Sequence, residues 1–112
     1  MKILITGRPG SGKSIFAKYL KDQHPDFTII EFDDFYPDIK AFESKAQSAD
    51  DCIVVIQHQK FIKSPIKFDK SYQCTRVETE AFQVNDGTEI QNFAFLDLEQ
   101  YFDPSLNGAF SN

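Results

Sequence analysis

The stretch GRPGSGKS near the N-terminus constrains the fold of this chain more than any other feature of the sequence. Its glycines, Gly7, Gly10 and Gly12, exceed the one or two that a turn needs, and the spacing is G-x-x-x-x-G-K-S. The apolar KILIT segment before it is typical of a buried strand, predicted over Lys2–Thr6. The SIFAKYLKDQ segment after it places apolar residues at helical spacing, which predicts a helix over Lys13–Gln23. The glycine-rich loop is therefore expected to join a strand to a helix.

A loop of this composition suits the binding of phosphate groups. Glycine permits the positive φ angles with which several backbone N–H groups converge on an anion. A helix that begins at Lys13 adds its N-terminal dipole and its unpaired N–H groups. In this arrangement Lys13 reaches the β- and γ-phosphates of a nucleotide, and the Ser14 hydroxyl coordinates Mg²⁺. A glycine-rich surface turn is the alternative, but both flanking segments favour the phosphate loop.

The whole pattern resembles the Walker A motif of the P-loop NTPases. The resemblance implies a nucleotide and Mg²⁺ at the loop, and no N-K-x-D motif is present to separate ATP from GTP. It also implies a three-layer α/β core with a short parallel sheet. The implied nucleotide-binding residues are Gly7, Arg8, Pro9, Gly10, Ser11, Gly12, Lys13, Ser14 and Ile15.

Length and composition bound the class of protein further. A chain of 112 residues is near the usual size of one domain, and its 12 Phe supply much of a core. No run of about 18 apolar residues is present, so no membrane span is expected. The first residues lead directly into a strand, so no signal peptide is expected either. Cys52 and Cys74 are isolated, which favours reduced thiols and a cytoplasmic location.

The net charge of −5 is distributed unevenly along the chain. Residues 71–112 hold one basic and seven acidic side chains, a net charge of −6, which disfavours contact with nucleic acid. The segment KFIKSPIKFDK opposes this trend. Its lysines suit either contact with phosphates or a solvated loop, and the solvated loop is favoured. They are Lys60, Lys63, Lys67 and Lys70.

The first sixty residues alternate between strand-like and helix-like patterns. After a break at His24-Pro25-Asp26, the FTIIEF segment predicts a second strand. The PDIKAFESKAQSA segment predicts a second helix, with Asp38 in its first turn. The apolar CIVVIQ segment predicts a third strand that is buried on both faces. The β-α-β-α-β order is typical of a parallel, three-layered α/β sheet, whose carboxyl edge is expected to hold the glycine-rich loop.

The last third of the chain has a different pattern. YQCTRVETEAFQV and TEIQNFAFL alternate apolar and polar residues, and Asn85-Asp86-Gly87 lies between them. This predicts an antiparallel hairpin, followed by a short helix over Asp97–Tyr101. The chain is thus predicted to be one minimal domain, with a core over about 1–60, a hairpin extension over about 71–103 and a poorly ordered tail over 104–112.

Two acidic residues follow the second predicted strand in EFDDFYP. At the carboxyl edge of a parallel sheet, Asp33 and Asp34 would lie beside the glycine-rich loop, where Mg²⁺ needs an acidic group nearby. A second carboxylate can orient or deprotonate a nucleophile. The apolar strand followed by two acids resembles a Walker B motif, although Glu31 interrupts its apolar run. This implies Asp33 as a metal ligand and Asp34 as the residue that orients water, and a simple acidic turn is the alternative.

Polar residues, Gln57-His58-Gln59, follow the third predicted strand. The first sixty residues resemble the additional-strand ATPases, including the FtsK–HerA and phage packaging branches, in which an acid-ended strand, a helix and a glutamine-ended strand have this order. The resemblance implies a Mg²⁺-dependent ATPase of phage or mobile-element origin. It also implies that Lys13, Asp34 and Gln57 act in catalysis, with Gln57 sensing the γ-phosphate. Ordinary polar residues at a strand end are the alternative for Gln57 and His58.

The DDFYP segment is also similar to a motif of small P-loop kinases that act on nucleosides or related metabolites. That resemblance implies Asp33 or Asp34 as the base and Tyr36 in the acceptor pocket. Such kinases close an arginine-bearing lid over the phosphates, whereas this chain has two arginines and no segment for a lid. A nucleotide-binding regulator or interaction module with little hydrolysis is a third alternative.

The two arginines are the remaining candidates to neutralise charge at the phosphates. Arg8 lies in the loop itself, and Arg76 lies on the predicted hairpin. A neighbouring subunit can donate such an arginine in an oligomeric ATPase, so we expect a homo-oligomer with Arg76 acting across the interface, and a protein partner is the alternative. An exposed strand charge paired with Glu78 or Glu80 is the other interpretation of Arg76.

Overall fold

The computed structural model describes residues 1–102 of the chain and is built around a mixed β-sheet. The strands are β1 (Lys2–Gly7), β2 (Thr28–Glu31), β3 (Cys52–Ile56), β4 (Lys70–Glu78), β5 (Ala81–Asn85) and β6 (Ile90–Ala94). The α-helices are α1 (Lys13–Gln23) and α2 (Ile39–Ser48), and 3₁₀ turns cover Phe32–Asp34, Gln59–Phe61 and Phe95–Tyr101. The strands lie in the order β2-β3-β1-β4-β5-β6, which makes the fold class α/β.

Four neighbouring strands, β2, β3, β1 and β4, run parallel to one another. Ile5 at the centre of β1 lies opposite Val55 of β3 on one side and Tyr72 of β4 on the other. The carboxyl ends of these strands therefore meet at one edge of the sheet, and the loop after β1 lies at that edge. The predicted first helix is confirmed from end to end. The predicted second strand ends one residue early, at Glu31, because the chain turns there into a 3₁₀ turn.

Each face of the parallel strands has its own hydrophobic core. On one face Phe16 of α1 packs with Ile5 and with other apolar residues of β1, β3 and β5. On the opposite face Phe42 of α2 packs with Leu4 and the alternate residues of β3. Successive strand residues point to opposite faces, so Leu4 and Ile5 belong to different cores. The two helices thus cover opposite faces of the sheet, as the element order predicted.

The predicted C-terminal hairpin is wrong in its strand count. The segment predicted as its first strand turns at Thr79-Glu80 and forms both β4 and β5, and β6 adds a further antiparallel strand. β4 also pairs in parallel with β1, so the meander extends the central sheet. Thr79 and Glu80 are not typical turn residues. The three consecutive polar residues Glu78-Thr79-Glu80 interrupt the alternation of apolar and polar residues, and they were the one sign of the break in the sequence.

The predicted turn at Asn85-Asp86-Gly87 is confirmed. Gly87 has a φ of 94°, which glycine adopts readily. The Asp86 carboxylate accepts backbone hydrogen bonds from Thr88 at 2.8 Å and from Glu89 at 2.7 Å. These bonds close the connection between β5 and β6.

The segment after β6 forms the 3₁₀ turn Phe95–Tyr101, which includes the predicted helix over Asp97–Tyr101. The tail predicted to be poorly ordered lies outside the described residues. Cys52 and Cys74 are buried free thiols. No helix within residues 1–102 has the length and apolar character that crossing a lipid bilayer requires.

Candidate functional site

The loop between β1 and α1 has a backbone conformation that depends on its glycines. Gly10 and Gly12 have φ angles of 82° and 88°. A Cβ atom on Gly12 would lie 3.0 Å from the ring of Phe82 on β5. A Cβ atom on Gly7 would lie 2.8 Å from the carbonyl oxygen of Cys74 on β4. Left-handed backbone and close approach by neighbouring strands therefore require glycine here.

The first turn of α1 presents unpaired N–H groups. Gly12 caps the helix without a side-chain hydrogen bond, and its carbonyl oxygen accepts the N–H of Phe16 at 2.8 Å. Within the described part of the chain, the N–H groups of Gly12, Lys13, Ser14 and Ile15 have no protein acceptor. Unpaired donors and the positive end of the helix dipole favour an anion at this position.

Lys13 is a buried cation at the start of this helix. Its side chain is only 3% exposed, and its ammonium makes no hydrogen bond or ion pair with any of residues 1–102. Burial lowers the pKa of Lys13, while the nearby charges of Asp33 and Glu31 act in the opposite direction. A buried ammonium without a partner is costly. Lys13 therefore has an unsatisfied preference for an anion.

Ser14 is linked to a carboxylate that the sequence pattern did not single out. The Ser14 hydroxyl, on a residue 6% exposed, donates a hydrogen bond to Oε1 of Glu31. Glu31 is the last residue of β2, so it lies at the carboxyl edge of the sheet. In the sequence it counted only as an interruption of an apolar strand. Its position at the strand end was the one available signal of its role.

Asp33 and Asp34 follow in the 3₁₀ turn, and both are exposed. Asp33 lies near enough to Lys13 to raise the pKa of the ammonium, and Asp34 has no such effect. Within residues 1–102, neither carboxylate is hydrogen-bonded to the glycine-rich loop. The structure thus brings Asp33 and Glu31 close to Lys13, whereas Asp34 makes no hydrogen bond or ion pair with the loop within residues 1–102.

Ser11 is the most unusual polar residue of the loop. It is 2% exposed, and its hydroxyl oxygen has no hydrogen-bond partner among the described residues. Its backbone N–H is paired with the carbonyl oxygen of Arg8 at 3.1 Å. Buried hydroxyls are normally hydrogen-bonded, so the unpaired Ser11 hydroxyl is a second polar group at the loop that the protein alone does not satisfy.

A cavity of about 880 Å³ opens beside the loop at the carboxyl edge of the sheet. Gln57 and His58 line it, together with loop residues and the polar side chains of β4. The carbonyl oxygen of Gln57 accepts the N–H of Gly7 at 3.1 Å, which holds the loop against β3. The His58 ring is used locally, because its Nδ1 accepts the N–H of Lys60 at 3.0 Å. Tyr36 is 70% exposed and is not among the residues that line the cavity.

Both arginines lie at this edge of the sheet. Arg8 is exposed and lines the cavity. Arg76 also lines it, and its guanidinium donates a hydrogen bond to the carbonyl oxygen of Gly10 at 3.3 Å. Arg76 is therefore held against the loop of its own chain. The expected oligomer, in which Arg76 acts across an interface, stays a prediction.

The residues present fit Mg²⁺, although no group of three or more His, Cys, Asp or Glu side chains placed to hold a metal occurs within residues 1–102. Mg²⁺ at nucleotide sites is usually held by one or two protein oxygens and by the phosphates themselves. Ser14, with Glu31 beside it and Asp33 nearby, supplies oxygens of this kind. Comparison of the chain with protein-family models, curated proteins and solved structures gives no match.

Proposed function

We propose that this chain is a P-loop NTPase that binds the triphosphate of ATP or GTP with Mg²⁺ and hydrolyses its terminal phosphate. One observation carries the proposal. Lys13 is buried at the N-terminus of α1 without a hydrogen bond or ion pair to any of residues 1–102, next to several N–H groups that have no acceptor among the described residues. A buried cation and unpaired backbone N–H groups, which form the positive end of the helix dipole, thus meet at one point. A polyphosphate satisfies them together.

Lys13 has the role of neutralising phosphate charge. Its preference for an anion is strong because the ammonium is desolvated, which also lowers its pKa. The N–H groups of the first helical turn hold the phosphate oxygens in place. Both contributions are present before any ligand binds, so little reorganisation is required.

Ser14, Glu31 and Asp33 would hold Mg²⁺. When bound, Mg²⁺ would supply neutralisation of the phosphate charge. The Ser14 hydroxyl is oriented by its hydrogen bond to Glu31, so that a lone pair of its oxygen remains available. Asp33 adds negative charge near Lys13.

Asp34 and Gln57 are proposed to act on the water that attacks the phosphate. Gln57 lines the cavity beside the loop, where an amide can orient a water molecule. Asp34 is exposed and lies in the turn that follows Glu31. Of these two residues Gln57 has the stronger support, because it lies directly against the loop.

The cavity favours one alternative, transfer of the phosphate to a second molecule. A volume of about 880 Å³ is large enough for a nucleoside or a metabolite of similar size, and its lining is rich in amide and hydroxyl groups. Arg8 and Arg76 border it. This supports an acceptor at the β3–β4 side, whereas the sequence motif implied an acceptor near Tyr36.

The experiment measures the products formed from Mg·ATP and Mg·GTP in the presence of a panel of nucleosides. Hydrolysis yields inorganic phosphate in proportion to the diphosphate formed, and Lys13→Ala abolishes it. A phosphorylated nucleoside formed at the same rate as the diphosphate would establish the kinase alternative. Tight Lys13-dependent binding without turnover would establish the binding module, and the absence of any binding would contradict the proposal.

A further inference from the structure

The peptide group between Gly10 and Ser11 is held at both of its polar atoms. Its carbonyl oxygen accepts a hydrogen bond from Nη1 of Arg76 at 3.3 Å. Its N–H donates to the carbonyl oxygen of Arg8 at 3.1 Å. A peptide group fixed in this way cannot turn over without breaking two hydrogen bonds.

The orientation of this peptide group matters for anion binding. A loop that binds phosphate must direct its N–H groups toward the ligand and its carbonyl oxygens away from it. Gly10 has a φ of 82°, and glycine permits several alternative orientations of the peptide that follows it. A hydrogen bond to the Gly10 carbonyl oxygen therefore selects one orientation from several, and the N–H groups of residues 12–15 remain unpaired among the described residues.

Arg76 is itself held in place by the C-terminal part of the sheet. Its guanidinium donates to the carbonyl oxygens of Thr79 at 2.7 Å and Glu78 at 3.3 Å. It also lies 5.0 Å from the centre of the Phe95 ring, a cation–π contact. The pairing of β4 with β5 shifts between Arg76 and Glu78, and an irregularity of this kind redirects side chains. The planar guanidinium thus links the β4–β5 connection to the loop.

We infer that Arg76 is a positioning residue for the phosphate-binding loop, which keeps the Gly10 carbonyl oxygen away from bound phosphate. This inference rests on the proposed function. It differs from the expected role of an arginine donated by a neighbouring subunit, since Arg76 acts within its own chain and through a peptide group. It also assigns a role to the antiparallel strands β4, β5 and β6. This part of the sheet holds the Arg76 guanidinium, and the guanidinium in turn orients the loop.

The test compares Arg76→Ala and Arg76→Lys with wild type, using Mg²⁺ and inorganic tripolyphosphate as the probe. Calorimetry gives the affinity, and backbone amide chemical shifts of Ser11 and Gly12 give the loop conformation without ligand. We expect Arg76→Ala to weaken binding about tenfold and to shift both amides. Arg76→Lys keeps the charge but not the planar set of donors, so most of the loss remains. Lys70→Ala, on the same strand, controls for the loss of one positive charge and leaves both measurements unchanged.

The outcomes separate this inference from the proposed function. Unchanged amide shifts with unchanged affinity in Arg76→Ala would overturn the inference while leaving the proposed function intact. Full recovery in Arg76→Lys would show that charge alone matters, and would also overturn positioning. If wild type itself binds no tripolyphosphate, the proposed function and this inference both fail. Circular dichroism of each variant verifies that the fold is retained.

Discussion

Two buried charged residues on opposite sides of the sheet, Glu43 and Lys13, have opposite environments. Glu43 of α2 is 6% exposed, and its carboxylate accepts hydrogen bonds from the Ser64 hydroxyl at 2.6 Å and the Ser64 N–H at 3.2 Å. It also accepts the N–H of Lys63. Lys13 of α1 is 3% exposed and has no such partner within residues 1–102.

The difference separates a charge with a structural role from one that we propose to be functional. Glu43 fastens the segment after β3 to α2, and its buried charge is satisfied by the protein itself. The unpaired buried charge of Lys13 is unfavourable for folding, and locally unfavourable features of this kind are expected at functional sites. The comparison therefore supports the proposed site at the β1–α1 loop independently of its sequence motif.

The largest effect is expected from Lys13→Met, which keeps the length and apolar stem of the side chain. Affinity for Mg·ATP should fall on the order of 100-fold or more, because the phosphates lose a desolvated cation. The free energy of unfolding should rise by about 1–2 kcal/mol, because an unpaired buried charge is removed. Calorimetry and urea titration measure the two effects. Lys18→Met on the same helix serves as the control, and a destabilised Lys13→Met would contradict the comparison.

Glu43→Gln should have the opposite effects, with lower stability and unchanged nucleotide affinity. Loss of the charged acceptor should lower the free energy of unfolding by about 1.5–3 kcal/mol, the contribution typical of a hydrogen bond to a charged group. Affinity for Mg·ATP should be unchanged, since α2 lies on the far face from Lys13. Urea titration of this variant beside Glu99→Gln, an exposed carboxylate, isolates the buried contribution. A loss of nucleotide affinity equal to that of Lys13→Met would remove the distinction between the two charges.

Within the site, Glu31→Gln and Asp34→Asn compare the proposed roles of two carboxylates. The Ser14 hydroxyl would lose its charged acceptor, so we expect the Mg²⁺-dependent part of nucleotide affinity to weaken about tenfold. Asp34→Asn should retain that affinity and lower only the rate of phosphate release. Nucleotide titrations at several Mg²⁺ concentrations measure the difference. The roles of the two acids would be exchanged if Asp34→Asn, and not Glu31→Gln, altered the Mg²⁺ dependence.

A smaller effect on the free energy of unfolding is expected at acidic pH. The hydrogen bond from the Ser64 hydroxyl holds the pKa of Glu43 below its ordinary value of 4.5, and the backbone N–H groups of Lys63 and Ser64 add to this. The unfolded chain then takes up a proton at a higher pH than the folded chain. The contribution of Glu43 to stability is therefore complete above about pH 4.5 and is lost as the pH falls through the folded pKa.

The measurement is the difference in unfolding free energy between wild type and Glu43→Gln as the pH is lowered from about 7 to about 3. We expect this difference to become smaller in acid, because wild type alone loses the contribution of an ionised Glu43. A difference that stays constant would show that the Glu43 charge does not contribute to stability.

The first sixty residues could be predicted closely because their elements are local. The ends of α1 and the positions of the first three strands along the chain follow from apolar spacing and from the break at Pro25. The loop residues are contiguous, so their meeting point required no knowledge of tertiary structure. Asp38 was placed in the first turn of α2, and the structure makes it the N-cap, where its carboxylate accepts the N–H of Ala41 at 3.0 Å.

The remaining features depend on contacts between distant residues. The segment between β3 and β4 contains only a 3₁₀ turn, whereas connections between parallel strands usually contain a helix. It nevertheless places β4 in parallel beside β1. The contact of Arg76 with Gly10 exists only because β4 lies beside β1. Likewise, Glu31 meets Ser14 only once β2 and α1 are packed on the same sheet. None of these pairings leaves a periodic trace in the sequence.

The most direct test of the central claim is a map of backbone amide chemical shifts as Mg·ATP is added to the wild-type chain. We expect the largest changes at residues 10–15, because the unpaired N–H groups of residues 12–15 would gain phosphate acceptors, and negligible changes at Glu43, Lys63 and Ser64. The changes should be absent in Lys13→Met. Changes centred on the Glu43 region, or no changes at residues 10–15 at saturating nucleotide, would contradict the assignment of function to the buried Lys13.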